Sequence, residues 1–228
     1  MAETGEQGTT AREVAGLPGV REEVKRSVDA LQRLYTIVIG LALTEGAKRI
    51  IDPNIAATVT GAAPELDRWY HLIGLVVTIV PFYHGANRHL DDVYLFDAPQ
   101  QTVKAALILD FFILFIEGTL FAMMGMSILL SERFYSLLLV LLLVDVGWAG
   151  VSIVIKGLSK PLLKWCLTNI GALVLIYVVL NTGLLPPDKR EVLLLALLAI
   201  RTGFDYALSW KFYMGQKDLA VTRSSDGK

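Results

Sequence analysis

Six apolar runs, each long enough to carry an α-helix across a hydrocarbon core, constrain this chain more than any other feature. A span takes about 20 residues of helix at 1.5 Å rise per residue. The runs fall at about 31–51, 69–89, 103–129, 134–155, 162–185 and 191–214. A backbone in lipid must satisfy its own hydrogen bonds, so each run reads as helix. Asp52-Pro53-Asn54, Ser131-Glu132-Arg133, residues 157–161 and Pro186-Pro187-Asp188 punctuate them. The second run is the least regular, because its apolar part ends at Phe82, after Pro81. The expected fold is all-α: a polytopic membrane helix bundle of six transmembrane helices with a short N-terminal amphipathic helix.

Composition agrees. The chain has 228 residues, of which 54% are hydrophobic and 19% charged, and its mean hydropathy is +0.53. A soluble domain of this length needs more charge to cover its surface. The formal net charge is -1 and the cations are scattered, so no nucleic-acid partner is expected. The single cysteine, Cys166, lies in an apolar run. It can form no internal disulfide, and one thiol excludes iron–sulfur and cysteine-rich zinc sites within one chain.

Residues 1–19 are rich in Gly, Thr, Glu and Ala and are expected to be a disordered segment. Over 20–33, Val20, Val24, Val28, Leu31 and Tyr35 recur at helical spacing among charged residues, which reads as a juxtamembrane amphipathic helix. The six-helix domain then runs over 34–214, and 215–228 reads as a disordered cytoplasmic tail. The N-terminus lacks the short apolar core and cleavage site of a secretory signal, so the first span is expected to direct insertion. With the N-terminus inside, about 14 Lys and Arg fall on cytoplasmic segments and about 6 on outer ones. Both termini are therefore expected in the cytoplasm, with the chain in an inner or plasma membrane.

Ionisable side chains inside spans are costly and usually face the bundle interior, a cavity or each other. Glu45 lies in the first span, Asp110 and Glu117 in the third, Asp145 in the fourth, and Arg201 and Asp205 in the sixth. Asp110 and Glu117 are seven residues apart and share a helix face. Arg201 and Asp205 are one turn apart, where they can pair. Counting 1.5 Å per residue places Glu117, Asp145 and Asp205 within about one turn of their span midpoints. Three carboxyls against one guanidinium leave an acidic excess that a low-dielectric interior tolerates only with protons, a cation or water. These six residues are the expected ion pathway.

A second polar group follows Pro81. If helix continues there, His84, Arg88, Asp91 and Asp92 share one face, with His89 and Asn87 alongside. In the topology above they stand at the cytoplasmic mouth. A histidine beside Arg and Asp suits a pH-sensitive gate or an anionic binding site. The alternative is a polar helix end that pairs with itself. The spacing matches no strong zinc motif, so the metal content is left unassigned.

No cofactor is expected. Three histidines cannot supply two bis-histidine haems or a histidine-box di-iron centre. There is no phosphate loop, no Gly-x-Ser-x-Gly elbow and no His-Glu-x-x-His. Gly118, Gly125, Gly147, Gly150, Gly171 and Gly203 read as close helix-packing points. Tyr206, Trp210 and Tyr213 read as an interfacial aromatic belt.

The expected function is a small integral membrane transport protein, a proton- or cation-linked channel or transporter that uses an intramembrane acidic layer. Its partners would be the lipid bilayer, a proton or cation, and further copies of itself in a homo-oligomer. Two alternatives stand beside it: a membrane-embedded enzyme acting through the His/Asp group at the cytoplasmic face, and a non-catalytic partner or sensor subunit.

Overall fold

The computed structural model describes residues 18–52, 54–55, 67–96, 103–156, 160–183 and 185–213. The disorder expected of 1–17 and 215–228 falls outside these residues. Among the described residues there are six long helices: α1 (Pro18–Ile51), α2 (Asp67–Leu90), α3 (Val103–Met126), α4 (Ser131–Lys156), α5 (Lys160–Asn181) and α6 (Pro187–Tyr213). A π-helical segment, Asp91–Phe96, prolongs α2. Among the described residues there is no strand.

Local chemistry explains the helix ends. Pro18 opens α1 and Pro187 opens α6, where a missing N–H costs nothing. Gly183, at φ 59°, takes the left-handed conformation just beyond α5, which glycine adopts without a Cβ clash. The α3–α4 connection is a tight turn over 127–130, in which Leu130 N–H donates to Ser127 O at 2.8 Å. Ser131, Glu132 and Arg133 open α4 and do not break it, so the interruption lies a few residues earlier than the polar triplet suggests. Residues 20–33 are continuous with the rest of α1, and Pro18 and Gly19 already belong to that helix.

Buried positions follow three- and four-residue spacing. On α1 the stripe is Val28, Leu31, Tyr35, Ile39, Ala42 and Ile50. On α4 it is Tyr135, Leu138, Leu142, Asp145, Ala149 and Ser152. These stripes are the inward seams of long helices; neighbouring α1 and α3 run parallel, with Val38 beside Gly118 and Ala42 beside Gly125. The helices form a closed ring in the order α1, α3, α4, α5, α6, α2 and back to α1. Gly118 and Gly125 let α1 and α3 approach closely: a Cβ at Gly118 would sit 3.0 Å from Val38, and one at Gly125 would collide with the Ala42 carbonyl oxygen. Gly147, Gly150, Gly171 and Gly203 have open space at that position, so the packing role expected of them is absent.

The outer face is apolar. Val154 is 85% exposed, Leu143 60% and Phe204 59%. Continuous apolar surface of this kind belongs against lipid or protein, not water. Among the described residues four helical segments are long and apolar enough to cross a membrane: Leu107–Met126, Ser131–Val154, Leu163–Asn181 and Lys189–Trp210. They are compatible with a multi-pass membrane protein. α1 and α2 carry more polar side chains in their comparable stretches, Glu45, Lys48 and Arg49 on α1 and His71, His84 and Asn87 on α2.

Candidate functional site

Each helix of the ring sends one side chain into a single buried layer. Tyr35 comes from α1, Phe82 from α2, Glu117 from α3, Asp145 from α4, Asn169 from α5 and Arg201 from α6. All six are buried, with Asn169 at 0% exposure and Asp145 at 1%. The Tyr35 hydroxyl donates to Glu117 Oε2 at 3.4 Å. The Glu117 carboxyl stands against that of Asp145. The Asn169 amide nitrogen donates to Asp145 Oδ2, and its Oδ1 accepts from Arg201 Nε at 3.0 Å and Nη2 at 2.6 Å. The guanidinium carbon lies 5.0 Å from the centre of the Phe82 ring, a cation–π contact that a dry site strengthens.

Asp205 adjoins this layer one turn along α6 but does not pair with Arg201 as their spacing suggests: among the described residues no ion pair joins them. Asn169 holds the guanidinium instead. Asp205 accepts at Oδ2 from the Tyr213 hydroxyl, 2.7 Å away. Asp205 Oδ1 and Arg201 Nη1 are both buried and have no hydrogen-bond partner among the described residues. Tyr213 in turn packs on the His84 ring at 4.7 Å, and His84 Nδ1 lies 3.3 Å from the Tyr206 hydroxyl. Trp210 is exposed, but Tyr213 is 5% exposed. The aromatic stripe of α6 is thus divided, and Tyr213 belongs to the polar interior.

Two further buried polar clusters flank the layer. At the near end, where α1 begins, Asp110 accepts from the Tyr94 hydroxyl at 2.7 Å and from Trp148 Nε1 at 3.1 Å, and lies 3.1 Å from His89 Nε2. Burial, with the Asp110 carboxylate alongside, holds the Tyr94 phenol well above the usual tyrosine range, so it stays a donor. At the far end, where α1 finishes, His71 lies between the Ile128 carbonyl and Glu191, and Ser131 donates to the same carboxylate.

Of the expected pathway residues, Glu117, Asp145, Arg201 and Asp205 come together. Asp110 sits about two turns from Glu117 on α3, with its own partners. Glu45 does not join them: it pairs with Arg49 at 2.7 Å. The group after Pro81 fans out instead of presenting one face. His84 turns to α6 and His89 to α3. Asp91 accepts from Gln32 at 3.0 Å, and Arg88 pairs with Asp92 at 2.9 Å. Among the described residues no three His, Cys, Asp or Glu side chains are grouped to hold a metal ion.

Sequence reasoning misses Asn169, Tyr35 and the His71–Glu191 pair. Asn169 carries a signal: it is an amide well inside an otherwise apolar run. Tyr35 and Tyr213 carry none beyond their spacing, since a tyrosine at a span end reads first as an interfacial anchor. No family model, no curated protein and no solved structure matches this chain.

Proposed function

We infer that this chain is a small integral membrane transport protein that moves protons or a cation across a bilayer through the acidic layer of its helix ring. One observation carries the reading: Glu117 and Asp145 are buried in one layer, with Asp205 adjoining it, and the layer holds a single cation, Arg201. If all were ionised, two negative charges would stand uncompensated in a low-dielectric interior. The layer must therefore hold protons, a cation or water, and in the proposed mechanism it exchanges those protons or that cation. Glu117 and Asp145 take up the transported charge. Asn169 fixes Arg201 beside them, where its permanent charge limits how much positive charge the layer accepts. Asp205 and Tyr213 extend the path towards His84.

On this reading all six helices span the membrane. Exposed Leu34, Ile37 and Leu41 on α1, and Ile73, Val76 and Val80 on α2, support counting those two. The excess of Lys and Arg supports both termini and the near end in the cytoplasm, with the protein in an inner or plasma membrane. The groups of the layer are buried side chains, so charge passes by relay through them and water instead of a wide pore. A homo-oligomer is part of the proposal, because a ring of six helices leaves little room for a broader pathway. The membrane-enzyme alternative gains no support, since His84, His89, Asp91 and Asp92 turn to four different partners.

Purified protein in proteoliposomes, with a pH-sensitive dye inside and pH, sodium or potassium gradients imposed, tests the reading. Wild type is expected to carry flux that Asp145→Asn loses. Equal flux in both proteins removes Asp145 from the mechanism, and no wild-type flux under any gradient sinks the proposal.

A further inference from the structure

We propose that His71 and Glu191 form a second proton-binding site, separated from the acidic layer by a leucine plug and loaded from the far, external end of the bundle. The inference rests on the transport reading for its direction, and it stands on the geometry of the pair itself.

Both residues are 3% exposed. His71 Nδ1 lies 2.8 Å from the Ile128 carbonyl oxygen. A carbonyl only accepts, so Nδ1 must carry a hydrogen. His71 Nε2 lies 2.9 Å from Glu191 Oε2. With Nδ1 committed, one exchangeable proton lies between Nε2 and the carboxylate. The other Glu191 oxygen accepts from Ser131, and the Tyr135 hydroxyl is also bonded to this carboxyl. The ionisable groups facing the pair are Arg190 on α6, with Nη2 4.0 Å from Glu191 Oε1, and Tyr135 on α4, whose ring meets His71 edge-on at 5.4 Å. The α3–α4 turn contributes the Ile128 carbonyl, and on α1 Glu45 and Arg49 pair with each other. Phe134, 5.1 Å from the imidazole, closes the remaining side.

The pair is cut off from the acidic layer. Glu191 and Arg201 are ten residues apart on α6, and so are Tyr135 and Asp145 on α4, about 15 Å in each case. Between them stand Leu75 and Ile79 of α2, Leu138 and Leu142 of α4, and Leu194 and Leu198 of α6, all buried in one apolar cluster. No such plug separates Asp205 from Tyr213 and His84. The route from Asp205 through Tyr213 to His84 is thus polar, whereas the route towards the far end is sealed. A proton site beyond a plug is what alternating exposure of one pathway requires, with the plug parting to let the two sites communicate.

Nitrogen NMR of the full-length protein, labelled with 15N-histidine in nanodiscs, tests this across about pH 5–8, the range in which histidine side chains generally change charge. Replacing His84 and His89 by Gln leaves His71 as the sole histidine and identifies its signals even if His71→Gln fails to fold. The expected result is two protonation forms of His71 across the range, an exchange lost in Glu191→Gln and kept in Asp145→Asn. In proteoliposomes, His71→Gln is expected to lose the dependence of flux on external pH and to keep that on internal pH. A single unchanged form of His71 across the range overturns the site, whatever the flux. Loss of the exchange in Asp145→Asn overturns its independence from the acidic layer. A His71 that exchanges its proton in a protein that carries no flux leaves the site standing and removes the transport reading.

Discussion

Arg201 places two N–H donors on one atom, the Oδ1 of Asn169, at 3.0 and 2.6 Å. A neutral amide thereby orients a buried cation, and its own nitrogen satisfies Asp145. Helices α4, α5 and α6 are joined through this one side chain.

Asn169→Leu keeps the branched shape, is somewhat larger, and removes the hydrogen bonds to both partners. It leaves a guanidinium and a carboxyl underpaired in the interior, where each such loss costs about 1–3 kcal/mol and more for charged groups. We expect destabilisation of about 3 kcal/mol and loss of flux. Unfolding in detergent by circular dichroism measures the first and the proteoliposome assay the second. A stable variant would mean that water replaces the amide.

Arg201 Nη1 and Asp205 Oδ1 are a donor and an acceptor one turn apart, both buried and without a hydrogen-bond partner among the described residues. We expect a single bridging water to satisfy both. High-resolution electron microscopy in nanodiscs is expected to show it, and Asp205→Leu, which removes the acceptor, is expected to lose it. Direct Arg201–Asp205 pairing in that map would contradict the expectation.

The close approach of α1 and α3 at Gly125 leaves no room for a Cβ. Gly125→Ala must push the helices apart, at about 1–3 kcal/mol. Gly147→Ala adds a methyl to open space and is expected to change stability by less than about 1 kcal/mol, in the stabilising direction. Comparing the two by thermal unfolding separates tight packing from a general intolerance of substitution in the bundle.

Tyr94 gives a pH prediction with a definite sign. Its phenol is held above the usual value near 10 in the folded chain. Below that value it is neutral in folded and unfolded states alike. As pH rises past about 10, only the unfolded chain releases the proton, so this contribution to stability is lost as pH climbs. Tyr94→Phe lacks that loss. The stability difference between wild type and Tyr94→Phe should hold constant over about pH 6–9 and shrink above about 10, as read by denaturant unfolding. A constant difference throughout would contradict the burial argument.

Depth is legible in the sequence, because rise per residue is fixed along a helix. Depth alone is enough to group Glu117, Asp145, Arg201 and Asp205. Azimuth and ring order are not legible in the same way. The place of Glu45 in the first run puts it on the pathway, but on α1 its partner is Arg49, one turn away. Helical spacing puts His84 and Asp91 on one face, but the neighbouring helices α6 and α1 draw them apart. Which helices neighbour each other depends on packing such as Gly125 against Ala42, and no hydrophobic period records that. Asn169 escapes notice for another reason: an uncharged amide in an apolar run stands out only once its partners are known.

The ring order has a consequence for how the chain is made. α2 completes its buried face with α6, which leaves the ribosome after the other five described helices, and His71 meets Glu191 across 120 residues of sequence. At about 5–20 residues per second of synthesis, α2 waits roughly 6–24 s for that partner. During this interval α2 holds a polar face with no mate, and until α6 arrives and closes the gap it must shelter beside the insertion machinery or against α1.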